Sequence, residues 1–338
     1  MIRVGIIGCG SITKFRHAPE YKANPDCELV AFFDTRIERA EEMVEKFGGK
    51  AYQTVHELLE DKNIDAVSVC TANSSHAAIT VTALKNGKHV LCEKPMATTV
   101  DECLQMIDAT KASGKTLMIG HSQRFMPAHL KVKQILKSGS VGRILSFRTT
   151  WGHGGPEVWS ADKGKNTWFF KKSDSVMGAM GDIGIHKVDL LRWLMDDEFE
   201  EVQAILTTID KRDENNDLIG VDDNAVCLLK SKSGIIGTLT ASWTCYGGND
   251  NSTTLYCTNG TIKIYDNPDY PVVVTRRNGD NEYYEVGKVE GSSGIIDSFL
   301  CGINNGLPPE ISGEEGLAAL KVVLACMEAS DKGVRIRI

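Results

Sequence analysis

The chain opens with Ile2-Arg3-Val4-Gly5-Ile6-Ile7 and continues directly into Gly8-Cys9-Gly10-Ser11-Ile12-Thr13. The run Arg3–Ile7 is short and apolar, as strands buried on both faces are. Gly8 permits a tight turn, and Gly10 allows a phosphate to approach the backbone closely. A helix that starts after this loop offers free N–H groups and a partial positive charge. The segment therefore predicts a strand–loop–helix unit that binds a dinucleotide pyrophosphate, with a purely structural turn as the alternative.

As far as about residue 120, short apolar runs of this kind alternate with amphipathic stretches. The predicted strands are Arg3–Ile7, Leu29–Phe33, Ala66–Cys70, His89–Cys92 and Thr116–Ile119. The predicted helices include Arg36–Phe47, Val55–Leu59, Ser75–Asn86 and Val100–Ser113. Such alternation is typical of βαβ units in a doubly wound parallel sheet. We therefore predict an α/β Rossmann domain over residues 1–121 that binds the dinucleotide.

Beyond residue 121 the pattern favours an α+β domain, 122–338, with a large, mostly antiparallel open sheet. Helices are predicted at Ala128–Ser138, Ile183–Met195 and Gly316–Ser330, and Gly152–Met180 is an irregular stretch. The predicted strands are Arg143–Trp151, Val202–Ile209, Ala225–Lys230, Ile235–Thr244, Thr253–Cys257, Thr261–Tyr265, Val272–Arg276 and Tyr283–Val286. Asn259-Gly260 predicts a tight hairpin turn. We expect this domain to bind the substrate.

Composition narrows the class of protein. The chain has 338 residues, 42% hydrophobic and 25% charged, with a net charge of −7, which is typical of a soluble globular protein with two domains. Without a dense Lys/Arg run we expect no nucleic-acid partner, and no apolar run reaches the roughly 18 residues of a membrane helix. The N-terminal run is too short and too broken by glycine for a signal peptide. Ten scattered cysteines lack metal-ligand spacing, so we expect reduced thiols, no metal site and a cytoplasmic location.

Asp34 ends the second predicted strand. A carboxylate at this position can accept hydrogen bonds from both adenosine ribose hydroxyls, and it would repel a 2′-phosphate. NAD is therefore favoured. Arg36 leaves NADP open, because a guanidinium can bind a phosphate. The alternative for Asp34 is an N-cap of the helix that begins near Ile37.

Polar loops follow the fourth and fifth predicted strands, at Thr71–His76 and at Cys92–Pro95. In open α/β sheets, ligands bind outside the carboxyl ends of the strands, so both loops are expected at one crevice. Asn73 or Ser74 could equally cap the next helix, and Lys94 could equally be a solvated surface charge.

Asp182 and His186 are four residues apart, so a helix would place them on one face. Asp182 could orient an imidazole or a substrate hydroxyl, and His186 could accept a proton near neutral pH. A structural histidine beside the core is the alternative.

Together these features resemble the Gfo/Idh/MocA family of oxidoreductases. The matching segments are Gly8–Thr13, Asp34, Thr71–His76, Glu93-Lys94-Pro95, Arg124-Phe125, and Asp182–His186 followed by Asp189. Two positions depart from the family pattern: Ala72, where proline is common, and Thr13, at the third glycine. Neither departure removes a chemical group.

The resemblance implies roles for individual residues. His186 would take a hydroxyl proton while hydride leaves the substrate carbon, Lys94 would stabilise the developing charge on oxygen, and Asp182 would orient the substrate or His186. The cofactor would contact Gly8, Gly10, Ser11, Ile12, Asp34, Thr35, Arg36, Thr71, Asn73, His76, Glu93, Lys94 and Arg124. His153 and Trp168 are expected at the substrate, although Trp151, Trp159 and Trp168 could equally be core residues.

The predicted function is NAD(P)-dependent oxidation of a sugar, cyclitol or related polyol, with NAD as the favoured cofactor. An enzyme that retains NAD and oxidises its substrate transiently, as some hydrolases and epimerases do, is one alternative. A sensor that binds dinucleotide and sugar without chemistry is another. The family also implies a homodimer or homotetramer assembled through the open sheet face, to which strands such as Leu239–Trp243 would contribute.

Overall fold

The computed structural model describes residues 1–287 and 292–338. Its first sheet contains six parallel strands in the order β3-β2-β1-β4-β5-β6. They are β1 (Ile2–Ile7), β2 (Cys27–Phe33), β3 (Lys50–Ala51), β4 (Ala66–Val69), β5 (His89–Cys92) and β6 (Leu117–Ile119). The chain reverses its winding direction between β1 and β4, which is where such sheets bind ligands. The predicted parallel sheet is confirmed, and only the two-residue strand β3 was not predicted.

The helices of this part of the chain lie close to their predicted positions. They are α1 (Ala18–Ala23), α2 (Ile37–Phe47), α3 (Val55–Glu60), α4 (His76–Lys85) and α5 (Val100–Ser113), with a π-helical turn at Thr13–His17 and 3₁₀ turns at Asn73–Ser75 and Ser122–Phe125. The local sequence explains the bounds of α5. Thr99 and Glu102 form a reciprocal capping box at its start, and Gly114 ends it in the left-handed conformation.

The second sheet has nine strands in the order β14-β13-β12-β11-β7-β10-β9-β8-β15, counted over the described residues. Its pairings are antiparallel except between β7 and β10. The strands are β7 (Ile144–Gly152), β8 (Phe199–Thr207), β9 (Asn224–Ser231), β10 (Ile236–Ser242), β11 (Thr253–Cys257), β12 (Gly260–Ile264), β13 (Val272–Arg276), β14 (Asn281–Tyr284) and β15 (Ile336–Arg337). The predicted mostly antiparallel sheet is therefore confirmed.

The remaining helices are α6 (Pro127–Lys137), α7 (Lys172–Ser175), α8 (Ile185–Met195), α9 (Ile295–Asn305) and α10 (Gly313–Lys332), with a 3₁₀ turn at Trp168–Phe170 and a π-helical turn at Met180–Gly184. The predictions missed α9 and the short α7. None of the described helices is both long and apolar enough to cross a membrane.

The predicted hairpin turn at Asn259-Gly260 is displaced by one residue. Gly260 pairs with Cys257, so the two-residue turn is Thr258-Asn259. Gly260 adopts φ +156°, and a Cβ at this position would lie 2.5 Å from the carbonyl oxygen of Thr275 in the neighbouring strand. The glycine is needed for close approach of β13 and not for the turn itself.

One face of the nine-stranded sheet packs on helices and the other is open. Along β9, Cys227 and Leu229 are buried, whereas Val226 and Leu228 between them are more than half exposed, as expected for a strand with one covered face. The strand over Leu239–Trp243 contributes Thr240, opposite the exposed Val226, to the open face, but not its apolar side chains. Leu239 and Trp243 are fully buried, because the apolar side chains of β10 and the residue after it point toward the helices.

The C-terminal helix α10 packs against both sheets. Cβ atoms at Gly313 and Gly316 would lie 2.9 Å from side-chain atoms of Ile107 in α5 and Ile119 in β6, respectively, and α10 also contacts β8. The domain boundary between residues 121 and 122 stays a prediction, since helices α9 and α10 return to the first domain.

Candidate active site

A cleft of about 800 Å³ lies at the carboxyl ends of β1, β4 and β5. Its walls come from the loop after β1, the two polar strand-end loops, the π-helical turn before α8, and residues 151–169. Segments far apart in sequence therefore meet at the switch point of the first sheet, as predicted. Gly10, Ser11 and Ile12 of the predicted cofactor site and Lys94, Asp182 and His186 of the predicted catalytic site line this one cavity, whereas Gly8, Asp34, Thr35, Arg36, His76 and Arg124 do not.

The loop after β1 has the shape that a pyrophosphate requires. Gly8 has φ +94°, and a Cβ there would lie 2.5 Å from the Cys70 carbonyl oxygen, so no larger residue fits. A Cβ on Gly10 would meet nothing within 4 Å, and Gly10, Ser11 and Ile12 line the cleft. The open space at Gly10 therefore fits a phosphate group on the backbone.

Thr13 stands where dinucleotide-binding loops usually have their third glycine, and its side chain stabilises the loop. It is fully buried, and its hydroxyl donates a hydrogen bond of 2.6 Å to the Gly8 carbonyl. This bond ties the first turn of the helical segment to the start of the loop. The departure noted in the sequence thus stabilises the loop without occupying the cleft.

Asp34 fixes the loop from the side of β2. Its carboxylate accepts hydrogen bonds from the backbone N–H of Cys9 at 2.7 Å and of Arg36 at 2.9 Å. The N-cap residue of α2 is Arg36, so Asp34 is not itself the helix cap. Thr35 and Arg36 are exposed, and the Arg36 guanidinium bonds to Asp162 of the segment that follows β7.

At the other end of the cleft, Lys94 and Asp182 form an ion pair. The Lys94 Nζ donates to Asp182 Oδ1 and to the Asp182 carbonyl, both at 2.8 Å. Trp243 donates its indole N–H to Asp182 Oδ2 at 3.1 Å. Lys94 follows β5, Asp182 lies in the π-helical turn, and Trp243 follows β10. The Lys94 ammonium carries three donors, so one remains for a ligand.

His186 lies near the start of α8, one helical turn after Asp182, and lines the cleft. Its ring is 6% exposed, and its Nδ1 is buried with no hydrogen-bond partner among the described residues. Burial, reinforced by the nearby Lys94 and His121, lowers the pKa of His186 well below 6.5. The ring is therefore neutral at pH 7, and a neutral imidazole has one nitrogen free to accept a proton.

Asp182 does not orient His186, which was one of the two roles expected for it. The His186 ring instead packs against Trp151, with ring centroids 5.1 Å apart, and against His121 at 5.9 Å. The carboxylate of Asp182 is directed at Lys94 because the π-helical turn at Met180–Gly184 alters the rotation between Asp182 and His186 from that of a regular α-helix.

The predicted substrate residues His153 and Trp168 both line the cleft. His153 Nδ1 accepts the backbone N–H of Gly155 at 3.0 Å, and its Nε2 lies 3.9 Å from Asp182 Oδ2. This fixes the ring as the tautomer that carries hydrogen on Nε2. The three tryptophans Trp151, Trp159 and Trp168 line the cleft too, and Trp151 and Trp168 also pack against the hydrophobic core.

His76 and Arg124, two predicted cofactor residues that do not line the cleft, are held by partners within the protein. The His76 ring nitrogens lie 2.8 and 3.1 Å from the carbonyls of Pro95 and Thr71, and burial lowers the His76 pKa, so the neutral ring donates to one of them. Arg124 is buried in a bidentate pair with Asp189.

Glu93 and Asn73, two further predicted cofactor residues, line the cleft and also bond to other residues of the protein. Glu93 is buried against His17, with 2.9 Å between Glu93 Oε1 and His17 Nε2. Burial opposes its ionisation, but His17, Arg16 and Lys94 outweigh burial and lower the pKa of Glu93 to about 2. Asn73 donates to the Ser175 carbonyl at 2.8 Å. Both residues thus hold the loops of the cleft in place. Thr71 lines the cleft beside them.

Sequence reasoning missed several polar residues of the cleft. Gln123 Oε1 and Asn251 Oδ1 are buried without a hydrogen-bond partner among the described residues, and both side chains line the cleft. His121 is fully buried and has no described partner on either ring nitrogen. Gln123 stands beside the Arg124-Phe125 motif, which was a usable signal. Nothing in the sequence around Asn251 or Trp243 indicated a site.

Comparison with known proteins identifies both halves of the chain. Residues 2–121 match the family described as "Oxidoreductase family, NAD-binding Rossmann fold", and residues 129–263 match the GFO/IDH/MocA C-terminal domain. The chain is 30% identical to myo-inositol 2-dehydrogenase of Thermotoga maritima, with 100% of this chain and 98% of that protein covered. It is 32% identical to levoglucosan dehydrogenase of Pseudarthrobacter phenanthrenivorans, over 77% of this chain and 73% of that protein.

Solved structures agree over the whole chain. A levoglucosan dehydrogenase in complex with NADH and L-sorbose superposes with a TM-score of 0.90 at 25% identity, covering 100% of this chain and 99% of that one. An aldose-aldose oxidoreductase from Caulobacter crescentus, complexed with glycerol, gives a TM-score of 0.87 at 25% identity over the same shares. The chain therefore belongs to the Gfo/Idh/MocA family and is an NAD-binding oxidoreductase.

Proposed function

We propose that this protein oxidises a secondary hydroxyl of a sugar or cyclitol, with NAD as the hydride acceptor, and that Lys94, Asp182 and His186 carry the reaction. The observation that supports this most directly is the Lys94–Asp182 ion pair beside a neutral, buried His186 in the cleft. The relatives named inositol and levoglucosan dehydrogenase support the class of substrate.

The residues near the loop after β1 suit a dinucleotide. In the proposal, the backbone N–H groups at Gly10, Ser11 and Ile12 bind the pyrophosphate, and the unused lone pairs of the Asp34 carboxylate accept the ribose hydroxyls. When bound, NAD supplies a nicotinamide carbon that accepts a hydride. The chain's own task is to present the substrate hydroxyl at that position and to manage its proton.

Lys94 stabilises the substrate oxygen in this proposal. Two of its donors are engaged by Asp182, which fixes the ammonium and directs the third N–H toward the cleft. A preorganised cation of this kind stabilises the negative charge that develops on oxygen as the O–H bond breaks. Asp182 is thereby the residue that positions Lys94, and Trp243 in turn holds Asp182.

His186 is the proposed proton acceptor. A base must be unprotonated, and the depressed pKa of His186 keeps it so at neutral pH. His153 offers the hydrogen on Nε2 to a second hydroxyl of the substrate, because its Nδ1 already accepts from Gly155. The tryptophan walls of the cleft suit the apolar face of a sugar ring.

The test is a spectrophotometric assay for reduced nicotinamide, with purified protein, NAD or NADP, and a panel of inositols, aldoses and sugar acids. We expect a rise in absorbance with NAD and one class of polyol, and at least a ~100-fold lower kcat in Lys94→Ala and His186→Ala. Turnover of substrate without accumulation of NADH would indicate instead an enzyme that retains its cofactor. Binding of NAD and sugar with no turnover would indicate a sensor.

We also propose that two copies associate through the open face of the nine-stranded sheet. Ile205 of β8 and Val226 and Leu228 of β9 are exposed on adjacent strands of that face, and Tyr256 of β11 is exposed further across it. Exposed apolar side chains grouped on one sheet face are typical of an interface. All ten cysteines are free, which supports the proposed cytoplasmic location, where thiols stay reduced.

A further inference from the structure

Two arginines flank the end of the cleft near Asp34. Arg36 precedes α2 and Arg39 lies in its first turn. Both guanidinium groups bond to the same atom, Oδ1 of Asp162, with Arg39 at 2.7 Å. Asp162 belongs to the segment that follows β7 in the second sheet, and both Arg39 and Asp162 line the cleft. A carboxylate from one part of the chain therefore engages the cations of the other.

The position of Asp162 is fixed by its own segment. The hydroxyl of Ser160 donates to the Asp162 carbonyl at 2.7 Å, and its oxygen lies 3.0 Å from Thr167 Oγ1, whose hydroxyl can donate to it. Ser160 is 2% exposed and Thr167 is fully buried. A second contact joins the segment to the loop after β1, where the Ser11 hydroxyl donates to the Trp159 carbonyl at 3.1 Å. Asp162 is thus anchored on both sides and is not a freely moving surface residue.

The charges at this end of the cleft balance one another. Asp34 and Asp162 are matched by Arg36 and Arg39, and the nearby Lys14 is engaged by Glu42 at 2.5 Å. Burial opposes ionisation of Asp162, but the two arginines outweigh burial and lower its pKa, so it is charged at neutral pH. A 2′-phosphate on the adenosine ribose would bring roughly −1.5 to −2 charges into this neutral surface.

We propose that Asp162 is a specificity-determining residue that favours NAD over NADP by occupying the guanidinium groups of Arg36 and Arg39. A 2′-phosphate needs free donors, and it would also meet the negative charge of Asp162 at close range. The 2′-hydroxyl of NAD is uncharged and needs neither arginine. The inference rests on the dinucleotide site proposed above, and it answers the question that Arg36 raised in the sequence.

Binding of the reduced cofactors tests the inference without any turnover. NADH and NADPH are titrated into the intact protein, and dissociation constants are obtained from nicotinamide fluorescence. In Asp162→Asn, which keeps the size of the side chain, we expect the preference for NADH over NADPH to fall about tenfold, the size of one charge-assisted hydrogen bond. The gain in NADPH affinity should disappear when Arg36→Ala and Arg39→Ala are added, and it should be smaller at high salt.

Asp174→Asn is the matched control. Asp174 lies in the same segment, accepts a hydrogen bond only from Ser173 among the described residues, and its replacement changes the net charge equally. The preference of Asp174→Asn for NADH over NADPH should match that of the wild-type chain. An unchanged preference in Asp162→Asn would overturn the inference. So would equal changes in NADH and NADPH affinity, which would make Asp162 a residue that encloses either cofactor. If the wild-type chain bound neither, the proposed function itself would fail.

Discussion

At the scale of single residues, the proposed catalytic side chains make few hydrogen bonds to the rest of the protein. Lys94 and Asp182 are separated by 88 positions, yet both hydrogen bonds of the lysine go to that one residue. His186 has no such partner for its buried Nδ1. The ion pair is therefore rigid, whereas the imidazole stays neutral and can exchange a proton with a ligand.

The depressed pKa of His186 predicts the pH dependence of oxidation. The base is active when neutral, and that form persists as pH falls until the lowered pKa is reached. Its contribution is therefore fully present above 6.5 and is lost only below it. We expect kcat/KM to stay level from about pH 8 to about pH 6.5. An acid limb centred at or above pH 6.5 would contradict the assignment of His186 as the base.

Trp243 predicts a positioning effect on Asp182. Trp243→Phe keeps an aromatic ring in this fully buried position but removes the N–H that bonds to Asp182 Oδ2. We expect kcat to fall by about 10- to 100-fold, as for the loss of a hydrogen bond to a charged group, with NADH affinity unchanged. Trp193→Phe, at a tryptophan outside the cleft, is the control. An equal loss in both variants would point to general destabilisation.

At the scale of elements, the π-helical turn at Met180–Gly184 decides the direction of the catalytic side chains. A plain α-helix would stack Asp182 and His186 one above the other. The wider π-helical turn directs the two side chains differently. Asp182 bonds to Lys94 and Trp243, whereas His186 packs against Trp151. Turns of this kind often occur at functional sites.

The capping box of α5 predicts a stability effect without a functional one. Thr99 accepts the Glu102 N–H, and Glu102 accepts the N–H of both Thr98 and Thr99. Thr99→Ala should lower the free energy of unfolding by ~1 kcal/mol, measured by urea denaturation, with NADH affinity unchanged. Thr110→Ala inside the same helix should cost less, because alanine is the better helix former. The reverse order would show that the cap is dispensable.

At the scale of the whole molecule, the open sheet face predicts assembly. Leu228→Glu places a charge among exposed apolar residues of neighbouring strands. We expect the wild-type chain to sediment at twice its 37.0 kDa mass or more, and the variant to shift toward monomer because a buried unpaired charge is unfavourable. Leu104→Glu, at an exposed leucine of α5, should leave the mass unchanged. A monomeric wild-type chain would refute the proposed interface.

Local sequence specified five of the six strands of the first sheet, the helix α5, the loop at Gly8–Thr13 and the two motifs that carry Lys94, Asp182 and His186. Periodicity, caps and glycine conformation act over a few residues, so they can be interpreted without the fold. The hairpin turn after β11 was misplaced by one residue because Asn259-Gly260 satisfies turn chemistry, whereas the actual register depends on pairing with β13.

Only the tertiary structure decided which residues meet. Trp243 reaches Asp182, His121 reaches His186, and Asp162 reaches Arg36 and Arg39 across the two sheets. None of these pairs shares a local pattern, since each joins segments that are far apart in the sequence and meet only in the folded chain. The residue types of the site follow from short-range chemistry. Their partners, and with them the inferred cofactor preference, follow from long-range packing.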